Sequence, residues 1–214
     1  MPRISPFEHY TDQYEEWFEK NQWVYEAELR AIKAMIPAGG YGMEIGVGTG
    51  QFAKPLGIKI GVEPSKRMRE IAQRREIQVL DGVAEELPFD GSRFDFVLMV
   101  STVCFVDDIN KTLLEAHRVL SDGGFLIIGF IDRNSITGKI YLDRQNENVF
   151  YKEATFFSAD ELKEIIGHSG FLDLAFNQTI FKTLTETTKN EPVKPGYGEG
   201  SFVVIRGRKR ETKI

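Results

Sequence analysis

The chain has little of what disulfide-linked, metal-binding or membrane-spanning proteins need. Of its 214 residues, one is cysteine and three are histidine. The single thiol, Cys104, excludes an intramolecular disulfide, and the histidines are too widely spaced in sequence to predict a metal site. The longest uncharged run, Phe96 to Val106, is too short to cross a bilayer and is typical of a buried strand followed by a loop. We therefore expect no metal and no membrane insertion.

An excess of positive charge is also missing. The net charge is −5 and the isoelectric point about 5.4, the opposite of what bulk electrostatic binding to nucleic acid requires. With 42% hydrophobic and 28% charged residues, the composition is that of a globular protein, and the length suits one α/β domain with appendages. Residues 1–6 show no export signal, so we expect a cytoplasmic protein. Nothing in the pattern predicts an oligomeric state.

Short apolar runs alternate with helical stretches through the middle of the chain. Repeated strand–helix units of this kind predict a parallel sheet with helices on both faces. Two more predicted strands, 171–181 and 200–208, are joined by a long connection that allows an antiparallel hairpin at the sheet edge. The first five predicted strands cover residues 41–46, 58–62, 77–80, 94–100 and 125–131.

Residues 44–50 carry three glycines at alternate positions, where the first strand should meet the first helix. Glycine permits positive φ, and free N–H groups at a helix N-terminus can bind a phosphate or a carboxylate. The dinucleotide pattern G-x-G-x-x-G/A fails from Gly46, because Gln51 takes its sixth position, and passes from Gly48 only in its weaker form. Glu44 would repel a pyrophosphate and attract an ammonium group. The pattern favours S-adenosylmethionine (SAM), and a turn without a ligand is the alternative.

Three more segments follow predicted strands, at the sheet edge where open α/β sheets bind ligands. Glu63 and Pro64 end the second strand, and a carboxylate there suits the two neighbouring hydroxyls of a ribose. Residues 82–89 form a loop that can cover an adenine with backbone groups and apolar side chains. The fourth strand opens at Ser101. All four pieces therefore predict one site at this edge.

In this order, residues 40–131 resemble the class I SAM-dependent methyltransferases of the small-molecule type related to ubiquinone-biosynthesis methyltransferases. The residues at 44–50 match the family's glycine motif, Glu63 its ribose acid, residues 84–89 its adenine loop and residues 114–124 its helix and turn before the fifth strand. The resemblance implies an α/β, Rossmann-like, seven-stranded, mostly parallel sheet with an antiparallel C-terminal strand and helices on both faces. It also implies SAM as cofactor, S-adenosyl-L-homocysteine as its product and a small-molecule acceptor.

The sequence departs from the family pattern at two points. Val83 stands where many members have an acid that accepts from the adenine amino group, and Asp81 lies two residues earlier. Residues 101–104 stand where the methyltransferases of nucleic-acid bases and glutamine carry Asn/Asp-Pro-Pro-aromatic, which argues against DNA as a substrate. The predicted cofactor-binding residues are Glu44, Gly46, Gly48, Gly50, Glu63, Pro64, Ala84, Glu85 and Ser101.

Two segments outside the sheet are predicted to choose the substrate. Residues 1–37 are expected to form a helical cover with several aromatic side chains, on a domain that spans 38–214. Residues 132–157 are polar and aromatic without a clear period, as in a lid. The alternative is that their aromatic side chains complete the core. The predicted substrate-binding residues are Tyr10, Tyr14, Thr102, Cys104 and Tyr151.

The sequence leaves three functions open. The first is methyl transfer from SAM to a small molecule by in-line displacement, in which the protein mostly positions the reactants. No catalytic residue is assigned, because a base is needed only when the nucleophile carries a proton. The second is a SAM-binding module without catalysis. The third, a nicotinamide-dependent reductase, is opposed by Glu44 and Gln51.

Overall fold

Alternating apolar residues along the central strands place one hydrophobic core on each face of a single sheet. Val97 and Met99 point into one core, and Phe96 and Leu98 into the other; all four are buried. The structure is a computed structural model that describes residues 4–210. In that range no helix is both long and apolar enough to cross a membrane.

Eight strands and eight α-helices alternate along these residues. The strands are β1 Gly42–Ile45, β2 Ile60–Val62, β3 Gln78–Leu80, β4 Phe94–Val100, β5 Leu120–Ile131, β6 Phe171–Thr179, β7 Lys194–Pro195 and β8 Phe202–Lys209. The helices are α1 Ser5–His9, α2 Thr11–Lys20, α3 Gln22–Lys33, α4 Ala53–Leu56, α5 Lys66–Arg74, α6 Ile109–Val119, α7 Ile136–Asp143 and α8 Ala159–His168, with short 3-10 helices at Gln145–Glu147 and Leu184–Glu186.

The sheet has the order β3-β2-β1-β4-β5-β8-β6-β7. Neighbouring strands from β3 to β5 are parallel, and β8 is antiparallel to both β5 and β6. The Rossmann-like class, the parallel sheet and the antiparallel C-terminal strand are therefore confirmed. The strand count of seven was wrong, because the long connection before β8 adds β7, which pairs with β6. The C-terminal strand β8 lies between β5 and β6.

Strand β7 forms the edge of the sheet beside the β6–β8 hairpin. It is two residues long, Lys194 and Pro195, and both are exposed. Short edge strands with lysine and proline discourage pairing with another chain, because proline has no N–H to donate. Strand β8 itself pairs with β5 on one side and with β6 on the other, so it has no free edge.

Helix starts follow the cap residues that the sequence provides. The Ser65 hydroxyl accepts from the Met68 N–H at the start of α5. The sequence of residues 158–161 predicts a capping box, and Ser158 and Glu161 form it at the start of α8. The sequence predicts a helix over 110–120; Asp108 caps α6, which begins one residue earlier, at Ile109.

Helix α3 buries a different face from the one that the sequence predicted. The i, i+4, i+7 and i+11 spacing of Tyr25, Leu29, Ile32 and Ile36 predicts one buried helix face. The residues that are buried are Val24, Ala27, Glu28, Ala31 and Ile32. The helix packs on β5, β6 and β8, and the alanines, 0% exposed, let it approach the sheet closely. The larger side chains flank this contact, and Ile36 lies beyond the helix end. As a result, Glu28 points inward.

The segment 132–157 has more regular structure than predicted. Residues Ile136–Asp143 form α7, which the Ser135 side chain caps by accepting from the Gly138 N–H. A Cβ on Gly138 would lie 2.1 Å from the Asp132 carbonyl oxygen, so the first turn of α7 closes directly on the end of β5. The sequence showed little periodicity here because α7 has aliphatic side chains on its exposed side as well, among them Ile136 and Ile140.

The N-terminal helices are joined to the glycine turn by one carboxylate. Glu15 on α2 accepts from the Thr49 hydroxyl, the Gln51 side-chain amide at 3.0 Å and the Arg75 guanidinium. A second link joins α1 to α5, where Glu8 accepts from the Ser65 hydroxyl at 2.6 Å. These bonds hold the cover over the carboxyl ends of the parallel strands.

The Glu15 network is expected to stabilise the fold. Hydrogen bonds to a charged group contribute about 1.5–3 kcal/mol, so Glu15→Ala should lower the free energy of unfolding by that order. The matched control is Glu16→Ala, which breaks an exposed ion pair with Lys20 and should change it by less than about 0.5 kcal/mol. Urea unfolding followed by circular dichroism measures both variants. Equal effects would show that Glu15 does not anchor the cover.

Candidate cofactor and substrate cavity

The loops after β1, β2, β3 and β4 meet around one cavity of about 380 Å³. The carboxyl ends of parallel strands are where open α/β sheets bind ligands, and this volume suits a small-molecule site. The predicted residues on its wall are Tyr14, Gly46, Gly48, Glu63, Pro64, Ala84, Glu85, Ser101, Thr102 and Tyr151. The predicted residues that do not line it are Tyr10, Glu44, Gly50 and Cys104.

The three glycines of the turn have different structural roles. All three have positive φ, at +66° for Gly46, +54° for Gly48 and +86° for Gly50. A Cβ on Gly50 would lie 2.4 Å from Ile77, so this glycine permits close packing away from the cavity. A Cβ on Gly48 would instead project into the cavity, 3.2 Å from the Tyr14 hydroxyl. Gly48 is thus the position where the backbone itself forms the wall.

Glu63 connects the second strand to the glycine turn. Its carboxylate accepts from the Gly48 N–H at 3.0 Å and from the Ser65 N–H at 2.9 Å. Burial raises the pKa of Glu63 to about 7, and these two backbone bonds offset part of the effect. Each carboxylate oxygen has a further lone pair, so the side chain can still accept from a ligand in the cavity.

Glu44 lies beneath the turn, 2% exposed. Its Oε2 atom is buried and has no hydrogen-bond partner among the described residues. Burial, and then repulsion from Glu63, raise the pKa of Glu44 well above its usual range. Two neighbouring carboxylates without a side-chain cation between them favour a positively charged ligand, because such a ligand stabilises both ionised forms.

The loop after β3 is held by its own side chains. Glu85 accepts from the backbone N–H groups of Asp107 and Asp108, at 2.6 and 3.1 Å, so its carboxylate joins two loops. Asp81 forms a two-pronged pair with Arg69 and does not line the cavity. Ala84 and Val83 are on the wall, which leaves backbone groups and apolar contacts there for an aromatic ring.

The residues after β4 form the floor. Ser101 has a positive φ of +50°, unusual for a residue with a side chain and common at functional sites. The Thr102 hydroxyl donates to the Val100 carbonyl at 3.0 Å. The Cys104 thiol donates to the Ser101 carbonyl and faces a smaller recess beside the cavity.

Aromatic rings from the cover and from 132–157 also meet on the wall of this cavity. Phe7 lies 4.8 Å from Phe105 and 5.5 Å from Phe150, measured between ring centroids. Tyr141 stacks on Tyr151 at 4.7 Å, and both line the cavity. Of the aromatic side chains in 132–157, Tyr141, Phe150 and Tyr151 line this cavity, whereas Phe156 and Phe157 do not.

The sequence reasoning missed one charged residue on the wall. Glu28 of α3 is 6% exposed and lines the cavity. Its position within a run of buried small and apolar residues, Val24, Ala27 and Ala31, was the only indication. Tyr10, by contrast, is 45% exposed and does not line the cavity. Its ring centroid lies 6.4 Å from that of Phe150. Within residues 4–210 no group of three histidine, cysteine or acidic side chains could hold a metal ion.

Comparison with known proteins identifies the family. A methyltransferase-domain model matches residues 43–128. A SAM-dependent methyltransferase from Thermotoga maritima, described in its name as a possible histamine N-methyltransferase, is 51% identical, with a TM-score of 0.95 over 97% of this chain and 100% of its own. The chain belongs to the class I SAM-dependent methyltransferases.

Two further proteins are also similar to this chain. Uncharacterized protein MJ1123 of Methanocaldococcus jannaschii is 46% identical over 96% of this chain and all of its own length. A ubiquinone biosynthesis O-methyltransferase of Azorhizobium caulinodans is 28% identical over 60% of this chain and 57% of its own. The resemblance read from the sequence is therefore confirmed, and the protein is a SAM-dependent methyltransferase.

The site of this methyltransferase fits SAM on two observations of its own. The orphaned Glu44 oxygen and the neighbouring Glu63 carboxylate favour a cationic ligand. The backbone wall at Gly48 leaves the space that a side chain would fill. Both features are expected for a ligand with an ammonium group and a positively charged sulfur.

Gly48→Val should abolish SAM binding while the domain still folds. A β-branched residue is strained at positive φ, and its side chain would enter the cavity beside Tyr14. Gly57→Val is the matched control, since Gly57 also has positive φ, at +74°, but open space around it. Titration calorimetry should detect no binding to the first variant and unchanged affinity in the second. Retained affinity in a folded Gly48 variant would show that the glycines serve only the turn.

Glu63→Ala should weaken SAM binding. The loss of charge-assisted hydrogen bonds, about 1.5–3 kcal/mol, corresponds to a rise of about 10- to 150-fold in the dissociation constant. Asp81→Ala removes a nearby acid that does not reach the cavity and should leave the constant unchanged. If Asp81→Ala weakened binding as much as Glu63→Ala, the assignment of the ribose acid would be wrong.

Proposed function

We propose that the protein transfers a methyl group from SAM to a small-molecule acceptor. One observation carries the proposal: the glycine turn, Glu63 and the aromatic side chains of the cover and of 132–157 line a single cavity. A cofactor at the glycine turn and an acceptor among the aromatic side chains would be in contact. A cavity of about 380 Å³ suits a small molecule, and the net charge of −5 does not favour nucleic acid.

The residues proposed to hold the cofactor are those on the wall that follow β1, β2 and β3. Glu63 would accept from the ribose hydroxyls, the backbone of Gly46 and Gly48 would face the amino-acid part, and Val83 and Ala84 would cover the adenine. SAM supplies a methyl group on a positively charged sulfur, which a nucleophile displaces in line. Glu44 would act through its charge from beneath the turn.

The protein's own contribution is positioning and exclusion of water. Holding two reactants at about 3–3.5 Å in line can supply roughly 7–11 kcal/mol. We propose that residues 1–37, as cover, and residues 132–157, as lid, form the two walls that do this, because Phe7 and Phe150 join them over the cavity. Closing the site in this way keeps water from the reacting sulfur.

Two assays separate this function from the alternatives. Calorimetry with SAM and with NADH tests the reductase, which the carboxylates Glu44 and Glu63 oppose by repelling a pyrophosphate. Transfer of labelled methyl groups to a metabolite panel separates an enzyme from a module that only binds SAM. The panel should include amines and phenols, since the names of the relatives mention histamine and ubiquinone. SAM binding without transfer to any compound would favour the binding module.

Tyr151→Ala should lower turnover while leaving SAM affinity unchanged. Tyr151 stacks on Tyr141 on the cavity wall and is not among the residues proposed to hold the cofactor. Misplacement of an acceptor by about 1 Å can cost roughly 100-fold in rate. Phe156→Ala is the control from the same segment: it removes a buried ring outside the cavity and should cost about 3–5 kcal/mol of stability. Turnover is compared per folded molecule. If Tyr151→Ala kept full turnover, the acceptor would bind elsewhere.

A further inference from the structure

Glu28 has no structural partner for its charge. It lies on the inward face of α3, 6% exposed, and its carboxylate forms no hydrogen bond or ion pair with any residue in the described range 4–210. Burial alone raises the pKa of Glu28 to about 8. A buried carboxyl without a partner destabilises the fold, so packing does not account for it. The side chain is, however, on the wall of the cavity.

The surroundings of Glu28 are aromatic. After burial, its charge is among the causes that raise the pKa of Tyr141, Tyr151, Tyr14 and Tyr25. The same cavity is lined by Trp17, Phe18 and Phe52. Aromatic faces attract cations and exclude anions.

The charge of the whole wall has one sign. Among the described residues that line the cavity, the ionisable side chains other than tyrosine are three glutamates, Glu28, Glu63 and Glu85, and none is lysine, arginine or histidine. Glu85 is bound to the backbone of Asp107 and Asp108, and Glu63 to the glycine turn. Glu28 is the glutamate left to meet an acceptor.

We propose that Glu28 binds the amino group of the methyl acceptor, so that the substrates are small amines with an apolar or aromatic body. The inference rests on the proposed function and names its substrate class. A carboxylate and an ammonium group form a strong charge-assisted hydrogen bond when buried. The aromatic side chains would hold the rest of the molecule.

The same carboxylate can take up the proton that methylation requires. The bound ammonium passes one proton to Glu28, which frees the nitrogen lone pair. That pair forms the new nitrogen–carbon bond while the carbon–sulfur bond breaks and its electrons stay on sulfur. The product leaves as a methylated ammonium ion, and Glu28 remains protonated. Its raised pKa of about 8 suits this role, because the neutral form is favoured at pH 7.

Three matched pairs of probes test the inference by binding rather than by activity. They are butylamine with butanol, 2-phenylethylamine with 2-phenylethanol, and tryptamine with tryptophol, each titrated into the full chain with S-adenosylhomocysteine present. We expect at least one amine to bind about 10- to 150-fold more tightly than its alcohol. Glu28→Gln should abolish that preference. Glu26→Gln, on the same helix with the same change of net charge, should keep it.

Proton release gives a second readout. Free Glu28 is mostly protonated at pH 7, and a bound ammonium ion favours the carboxylate, so amine binding should release close to one proton. Calorimetry in phosphate and in Tris, which differ in ionisation heat, counts that proton. The tyrosines that sense Glu28 have raised pKa values and stay neutral at this pH. Glu63, whose pKa is about 7, lines the same cavity and can release protons in wild type and variant alike. The signal is therefore the difference, and Glu28→Gln should release close to one proton fewer than wild type.

The possible failures are distinguishable. If no amine binds better than its alcohol, or if Glu28→Gln keeps the preference, the inference is overturned even when SAM binds and a neutral acceptor is methylated. If amines bind through Glu28 but SAM does not bind, the proposed function fails instead. Glu28→Gln should itself fold well, because losing a buried charge should raise its melting temperature relative to wild type, and more at pH 9 than at pH 5.

Discussion

The burial of carboxylates at the carboxyl ends of the parallel strands is the constraint on which the rest of this structure depends. Glu44, Glu63 and Glu28 are each less than 8% exposed, and burial raises the pKa of all three. An isolated buried charge is unfavourable. The fold reduces that penalty for Glu63 through backbone N–H groups, and leaves Glu44 and Glu28 without side-chain partners. Such an arrangement is best balanced by cationic ligands.

The N-terminal helices and the segment 132–157, proposed as cover and lid, both line this cavity. Neither α2 nor the segment 132–157 belongs to the sheet, yet each contributes side chains to the cavity wall. Glu15 ties α2 to the glycine turn, so cofactor loops and cover are parts of one hydrogen-bonded unit. The ring contact between Phe7 and Phe150 then joins the cover to the lid. The cofactor loops, the cover and the segment 132–157 are therefore linked by direct contacts.

Local patterns predicted what depends on neighbours in sequence. The strand 94–100 agrees with the prediction at both ends, since seven mostly apolar residues between polar ones leave little choice. The caps at Ser65 and Ser158 agree because a hydroxyl needs only the next turn of the helix. The glycine turn and Glu63 were placed because strand ends and positive φ have recognisable sequences. Gly50 was grouped with them, although Ile77, distant in sequence, gives it a packing role.

The sequence by itself determined the sheet, its helices on both faces, the glycine turn and the family, because these follow from periodicity and from motifs of fixed spacing. The tertiary structure alone decided that α3 turns its alanine face and Glu28 inward, that β8 lies between β5 and β6, and that Tyr14 rather than Tyr10 reaches the cavity. The reason is the same in each case. Which face of a helix is buried, and which strand lies beside another, is settled by packing between segments far apart in the chain, and no local pattern encodes that contact.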